Sequence, residues 1–222
     1  EEVTDASTAS TGRAALLARL RAQRVLPVLR LPDAATTLAA VDCLHEAGFR
    51  VFEVTMTTPG AEALIERLAR ERPDSLVGAG TVTDLGRADA CIGRGASFVV
   101  SPYLVAGLAR RCAHAGRLAL VGAFTPGEVA AAIDEGADVV KIFPASTGGP
   151  AHVAALAAVF PGVPLCPTGG IDDAQVAAHL RAGAAMVGAG SQLVDRAALA
   201  RGDRAAAIER ARRYLQYASH GA

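Results

Sequence analysis

Short β-branched or apolar runs alternate along this chain with longer Ala-rich stretches, and the alternation predicts strands and helices in turn. The strand candidates are 25–30 (VLPVLR), 50–55 (RVFEVT), 76–80 (LVGAG), 97–101 (SFVVS), 118–122 (LALVG), 138–143 (DVVKIF), a seventh centred on 163–166, and 186–190. Helices are predicted over 13–22, 34–47, 84–94, 105–115 and 204–217, and onward from Pro59, Thr125, Pro150 and Asp172. Gly48 stands where a left-handed residue ends a helix. Thr125-Pro126-Gly127-Glu128 combines an N-cap, a proline at the first helical position and a capping-box Glu. The strand runs are continuously apolar rather than alternating, as strands covered on both faces should be. Eight such βα units predict an α/β chain closed into a (β/α)8 TIM barrel, with an additional N-terminal helix. A doubly wound open sheet is the alternative. Residues 1–12, rich in Ser, Thr and Ala and lacking the apolar core of a signal peptide, read as a flexible N-terminal tail, and 13–222 as a single domain.

Composition narrows this picture. Half of the 222 residues are hydrophobic but only 4% are aromatic, so Ala, Val, Leu and Ile must build the core. Acidic and basic residues balance at 22 each with no basic arm, which removes the support for a nucleic-acid partner. No apolar run reaches the roughly 18 residues of a membrane span. Cys43, Cys91, Cys112 and Cys166 are widely and irregularly spaced and read as small buried hydrophobes, which makes a reducing cytoplasm the default location. His45, His114, His152, His179 and His220 form no HExxH or comparable pair, so no metal site and no metal cofactor are expected.

One residue type changes the functional picture. Of the 22 basic residues only Lys141 is a lysine; the other 21 are arginines. Arginine cannot be deprotonated in a protein, whereas a desolvated lysine can serve as an amine nucleophile. Lys141 lies inside the apolar run Val139-Val140-Lys141-Ile142-Phe143, on one face with Val139 and Phe143. The plain alternative is a lysine that snorkels from a strand edge, but a closed barrel has no edges.

Barrel chemistry gathers at the C-terminal ends of the strands. Glu53, in Phe52-Glu53-Val54-Thr55, is a second charge inside a strand run, and a carboxylate near an amine can shuttle protons. Its plain alternative is a buried ion pair with no catalytic task. Arg30 closes the first strand and can clamp a carboxylate through its fork. Thr55 and Thr57 follow the second strand, Gly80-Thr81 the third and Ser101-Pro102 the fourth. Gly169-Gly170 and Gly188-Ala189-Gly190-Ser191 stand after strands seven and eight, where many barrels hold phosphate with backbone N–H groups.

At these residues the chain resembles the bacterial 2-keto-3-deoxy-6-phosphogluconate (KDPG) / 4-hydroxy-2-oxoglutarate (KHG) aldolase family, from about Val25 to Val194. The motifs that carry the resemblance are PVLR (27–30), FEVTMTTP (52–59), VGAGTV (77–82), VSPYL (100–104), VKIFPAS (140–146), PTGGI (167–171) and VGAGSQLV (187–194). The resemblance implies a class I aldolase that reversibly cleaves KDPG to pyruvate and glyceraldehyde 3-phosphate. It implies a Schiff base at Lys141 and proton transfer by Glu53 through a water. Arg30 and Thr81 would hold the pyruvate carboxylate, with Thr55 beside them, and Phe143 and Pro102 would pack on the Schiff base. Gly169, Gly170, Gly190 and Ser191 would take the phosphate. The partners implied are a keto-acid and a phosphorylated aldehyde, with no cofactor, in a homotrimer.

Two departures bear on the pocket. Some members carry an arginine four residues after the catalytic Glu, where this chain has Thr57, so the carboxylate falls to Arg30. Many members read Pro-Gly after strand five, where this chain has Val121-Gly122-Ala123, and the aldehyde preference depends on that wall. The galactonate epimer of KDPG and 4-hydroxy-2-oxoglutarate are the alternative substrates. A non-catalytic barrel scaffold and a metal-dependent aldolase are the alternative classes.

Overall fold

In the computed structural model, which describes residues 2–221, eight parallel strands form a ring: β1 (Val25–Leu29), β2 (Val51–Thr55), β3 (Leu76–Gly80), β4 (Phe98–Val100), β5 (Leu118–Ala123), β6 (Val139–Ile142), β7 (Leu165–Pro167) and β8 (Val187–Ala189). Neighbours pair in chain order and β1 also pairs with β8. A parallel bridge between Thr168 and Gly188 joins β7 to β8 and closes the barrel. The helices α2 (Ala34–Ala47), α3 (Ala61–Glu71), α4 (Leu85–Gly93), α5 (Leu108–His114), α6 (Pro126–Asp134), α7 (Ala145–Val159) and α8 (Asp173–Arg181) connect successive strands. After β8 come α9 (Arg196–Ala200) and α10 (Arg204–Ser219).

Side-chain alternation divides the sheet into two cores. Outward residues such as Phe52, Val54, Val99, Val140 and Ile142 pack against the helices in one large cluster. Inward residues Leu26, Val51, Leu76, Phe98, Leu118, Val139, Cys166 and Met186 fill the lower barrel. Leu16, Leu17 and Leu20 of α1 (Glu2–Ala22) join that inner cluster, so α1 plugs the N-terminal mouth. Fully burying a leucine, as at Leu20, is worth about 1.5–3 kcal/mol.

The expected helix starts and stops are shifted where local backbone chemistry intervenes. The backbone of α1 is helical from Glu2, across most of the stretch that reads as a tail from the sequence, where Ser and Thr leave no apolar stripe to announce a helix. α3 begins at Ala61 rather than at Pro59, since Gly60 ahead of it is left-handed (φ 72°). α7 starts before the expected Pro150 and breaks at Gly149 (φ 61°, ψ −166°), so Pro150 begins its second segment. The capping box at Thr125 and Glu128 forms as the sequence predicts.

Candidate active site

β2 and β6 face each other across the ring, each separated from the other by three strands on either side. Inward positions on the two strands therefore meet at the barrel axis. Lys141 and Glu53 occupy those positions, with Nζ 4.0 Å from Oε1. Both side chains are buried, and Glu53 is 1% exposed.

Glycines on the inner wall make this meeting possible. A Cβ on Gly80 would lie 2.0 Å from Glu53 Oε1, and one on Gly78 would lie 2.2 Å from the Phe98 ring. Glycine on β3 thus vacates the volume that the carboxyl group occupies. In Gly80→Ala the carboxyl must swing away from Lys141. Turnover is expected to fall by about 10²–10⁴, the usual share of general acid–base catalysis, with the fold retained. Adding Gly80→Ala to Glu53→Gln should then cost little more than Glu53→Gln alone, because both remove one function. A Gly80→Ala enzyme within twofold of native turnover would show that the placement of Glu53 is not critical.

The Glu53 carboxyl group has no protein hydrogen-bond partner on either oxygen. Burial pushes it above the usual carboxylate range, opposed by the charges of Lys141 and Arg30. An acid raised in this way is better suited than an ordinary carboxylate to both accept and give back a proton. Such buried pairs add little stability over apolar replacements, and at a barrel mouth they mark sites of chemistry.

Above the pair opens a cavity of about 320 Å³. Lys141, Val28 and Thr168 line its lower part and Phe143 one wall, while Arg30, Gly169, Gly170, Gly190, Ser191, Gln192 and Arg196 surround the rest. The Phe143 ring centroid is 5.5 Å from Lys141 Nζ. Its edge crowds Gly169, where a Cβ would come within 3.2 Å of the ring. Gly169 (φ 104°) and Gly170 (φ 76°) are both left-handed, a conformation that favours glycine. The backbone N–H groups of Gly169, Gly170, Ser191 and Gln192 donate to no other group among the described residues. Free amides on two adjacent loops can hold an anion.

Arg30 stands at the rim and donates from Nη2 to Thr81 Oγ1 at 3.4 Å. Thr81 takes φ 58°, an unusual value for a β-branched residue, which costs about 1–3 kcal/mol and holds its hydroxyl beside Arg30.

Seven of the residues picked from sequence line this cavity, whereas Glu53, Thr55, Thr81 and Pro102 do not: Glu53 lies beneath it and Thr81 beside it, in contact with Arg30. Thr55 is fully buried; its hydroxyl donates to Leu29 O at 3.1 Å and lies 2.9 Å from Thr57 Oγ1. The Pro102 carbonyl packs against Gly122 on β5, whose missing side chain gives it room. Val28, Gln192 and Arg196 also line the cavity, and no local sequence signal marks them as site residues. Thr168 was detectable, since it stands two residues beyond the inward Cys166 and so shares its face.

Comparison with known proteins places this geometry. The family model for KDPG and KHG aldolases matches residues 16–210. The 2-dehydro-3-deoxy-phosphogluconate aldolase of Pseudomonas aeruginosa is 34% identical over 202 residues, 90% of this chain and 92% of that one. The 2-dehydro-3-deoxy-6-phosphogalactonate aldolase of Escherichia coli is 33% identical over 77% of this chain and 86% of its own. A crystal structure of KDPG aldolase from Legionella pneumophila, with pyruvate captured as a covalent carbinolamine, superposes with a TM-score of 0.81 at 31% identity. It covers 89% of this chain and 96% of that one.

Proposed function

The chain belongs to the KDPG and KHG aldolase family, and from that premise we propose that it cleaves KDPG reversibly to pyruvate and glyceraldehyde 3-phosphate through a Schiff base at Lys141. The observation that carries this reading is the buried amine 4.0 Å from a buried carboxyl group, on the floor of a cavity rimmed by anion-binding groups.

The Lys141 amine adds to the C2 carbonyl of the keto-acid, and loss of water from the carbinolamine leaves an iminium. Glu53 takes the proton of the C4 hydroxyl. The C3–C4 bond breaks, its electron pair flows into the iminium to give an enamine, and the aldehyde departs. Glu53 returns a proton to C3, and hydrolysis frees pyruvate and the amine. Arg30, with Thr81, holds the carboxylate, while the amides at Gly169, Gly170, Gly190 and Ser191 hold the phosphate. Phe143 packs over the Schiff base and excludes water from it. Thr55 and Pro102 act from behind, by fixing β2 and the wall beside β5. The reading includes a cytoplasmic homotrimer that works without a cofactor, the trimer resting on the family.

A near-equal identity to the galactonate enzyme supports a second reading in which the C4 epimer is the substrate. Borohydride reduction in the presence of pyruvate, followed by intact mass and peptide mapping, tests the chemistry common to both. A stable pyruvyl adduct at Lys141, absent in Lys141→Arg, and cleavage that survives EDTA are the expected results. No adduct at millimolar pyruvate would sink the proposal. Relative kcat/KM on the two C4 epimers and on 4-hydroxy-2-oxoglutarate then assigns the substrate.

A further inference from the structure

We propose that Arg196 binds the substrate's terminal phosphate and sets this protein's preference for phosphorylated over unphosphorylated 2-keto-acids, an inference that rests on the reading of the cavity given above. Arg196 is exposed and lines the same cavity as Gly190 and Ser191, the loop that precedes it. Among the described residues its guanidinium makes no ion pair and no hydrogen bond. The neighbouring acid is already committed: Asp195 caps α9 through the Ala198 N–H at 2.8 Å and pairs with Arg210 at 3.1 Å. Arg196 also borders the shallow groove between α2 and α9, and no acidic side chain lines either depression.

The charge balance of the cavity points the same way. Its lining holds Arg30, Lys141 and Arg196 and no carboxylate, while Glu53 lies beneath. Lys141 is taken up by the keto group in the Schiff base, and Arg30 faces the carboxylate end beside Thr81. That leaves one guanidinium for the end of the substrate that the free amides of the two glycine loops receive. Planar N–H donors match phosphate oxygens in pairs. The stem of Arg196 is well placed for this, since its own N–H is tied to Val194 O at 2.9 Å and Val194 N–H to Gly190 O at 3.0 Å.

Steady-state kinetics on native protein, Arg196→Gln and Arg196→Lys, with KDPG and with unphosphorylated 2-keto-3-deoxygluconate, provide the test. Arg196→Gln should raise KM for KDPG about tenfold, the size of one charge-assisted hydrogen bond at a solvated rim, with kcat within twofold. The unphosphorylated substrate and the pyruvate trap should be unaffected. Arg196→Lys should recover part of the loss, and the rise of KM with salt should be shallower in Arg196→Gln than in native protein. Equal losses on both substrates, or an unchanged KM for KDPG, overturn the proposal while leaving the aldolase reading intact. Failure of native protein to trap pyruvate overturns both.

Discussion

Lys141→Met is expected to end turnover, lowering the rate on the order of 10⁵-fold or more, because an amine held against the carbonyl has an effective concentration that no bulk nucleophile matches. Lys141→Arg should fail equally, since a guanidinium cannot give up a proton to become a nucleophile. The fold should tolerate Lys141→Met. Methionine is a flexible apolar filler, and Lys141 sits one layer above the inward leucines, beside Cys166 in register on β7. Removing one partner of a buried ion pair often costs about 3–5 kcal/mol, through the charge left behind. Here that cost is relieved, because burial already drives Glu53 toward its neutral form. A thermal midpoint within a few degrees of native, with turnover at background, is the expected pair of results. Turnover within tenfold of native would remove Lys141 from the chemistry.

The two halves of that prediction rest on different information. The proposed chemistry was legible in the sequence because arginine is the basic residue everywhere else, so a single lysine inside VVKIF points to a use for its amine. The eight units were legible because strands covered on both faces are continuously apolar, and because Gly48 and the Thr125 capping box punctuate the helices. The meeting of Glu53 and Lys141 was legible as well, because in a ring of eight units strands two and six face each other. What escaped was set by three-dimensional closure. That Gly80 makes room for the carboxyl group follows from a parallel pairing in which β3 lies beside β2. Thr55 looks from sequence like a mouth residue, yet its hydroxyl is spent on the Leu29 carbonyl across the β1–β2 pair. Arg196 begins a helix of five residues, too short to leave a periodic trace. Only its position beside the glycine loop separates it from the other arginines.

Glu53→Gln should lower kcat by about 10²–10⁴, the range that general acid–base catalysis supplies, while pyruvate still becomes trapped on the intact Lys141, more slowly. Its effect on stability should depend on pH with a definite sign. The folded carboxyl titrates above its ordinary value of 4.5, chiefly through burial and against the pull of Lys141 and Arg30. The folded state thus favours the protonated form. Its contribution is fully present below pH 4.5 and is lost as pH rises through the folded value. Glutamine keeps the shape of the neutral acid and cannot ionise. The thermal midpoint of Glu53→Gln should therefore gain on that of native protein as pH rises from 4.5, and level off once the native carboxyl is ionised. Calorimetry from pH 4.5 to 8 on both proteins measures that gap. A gap that stays constant with pH would mean that the carboxyl group is not held near neutrality by its burial. Turnover within threefold of native would mean that the proton moves by another route. Catalysis and stability oppose each other at this residue: the burial that raises Glu53 above an ordinary carboxylate, so that it can return a proton, is also what makes its ionised form costly to keep.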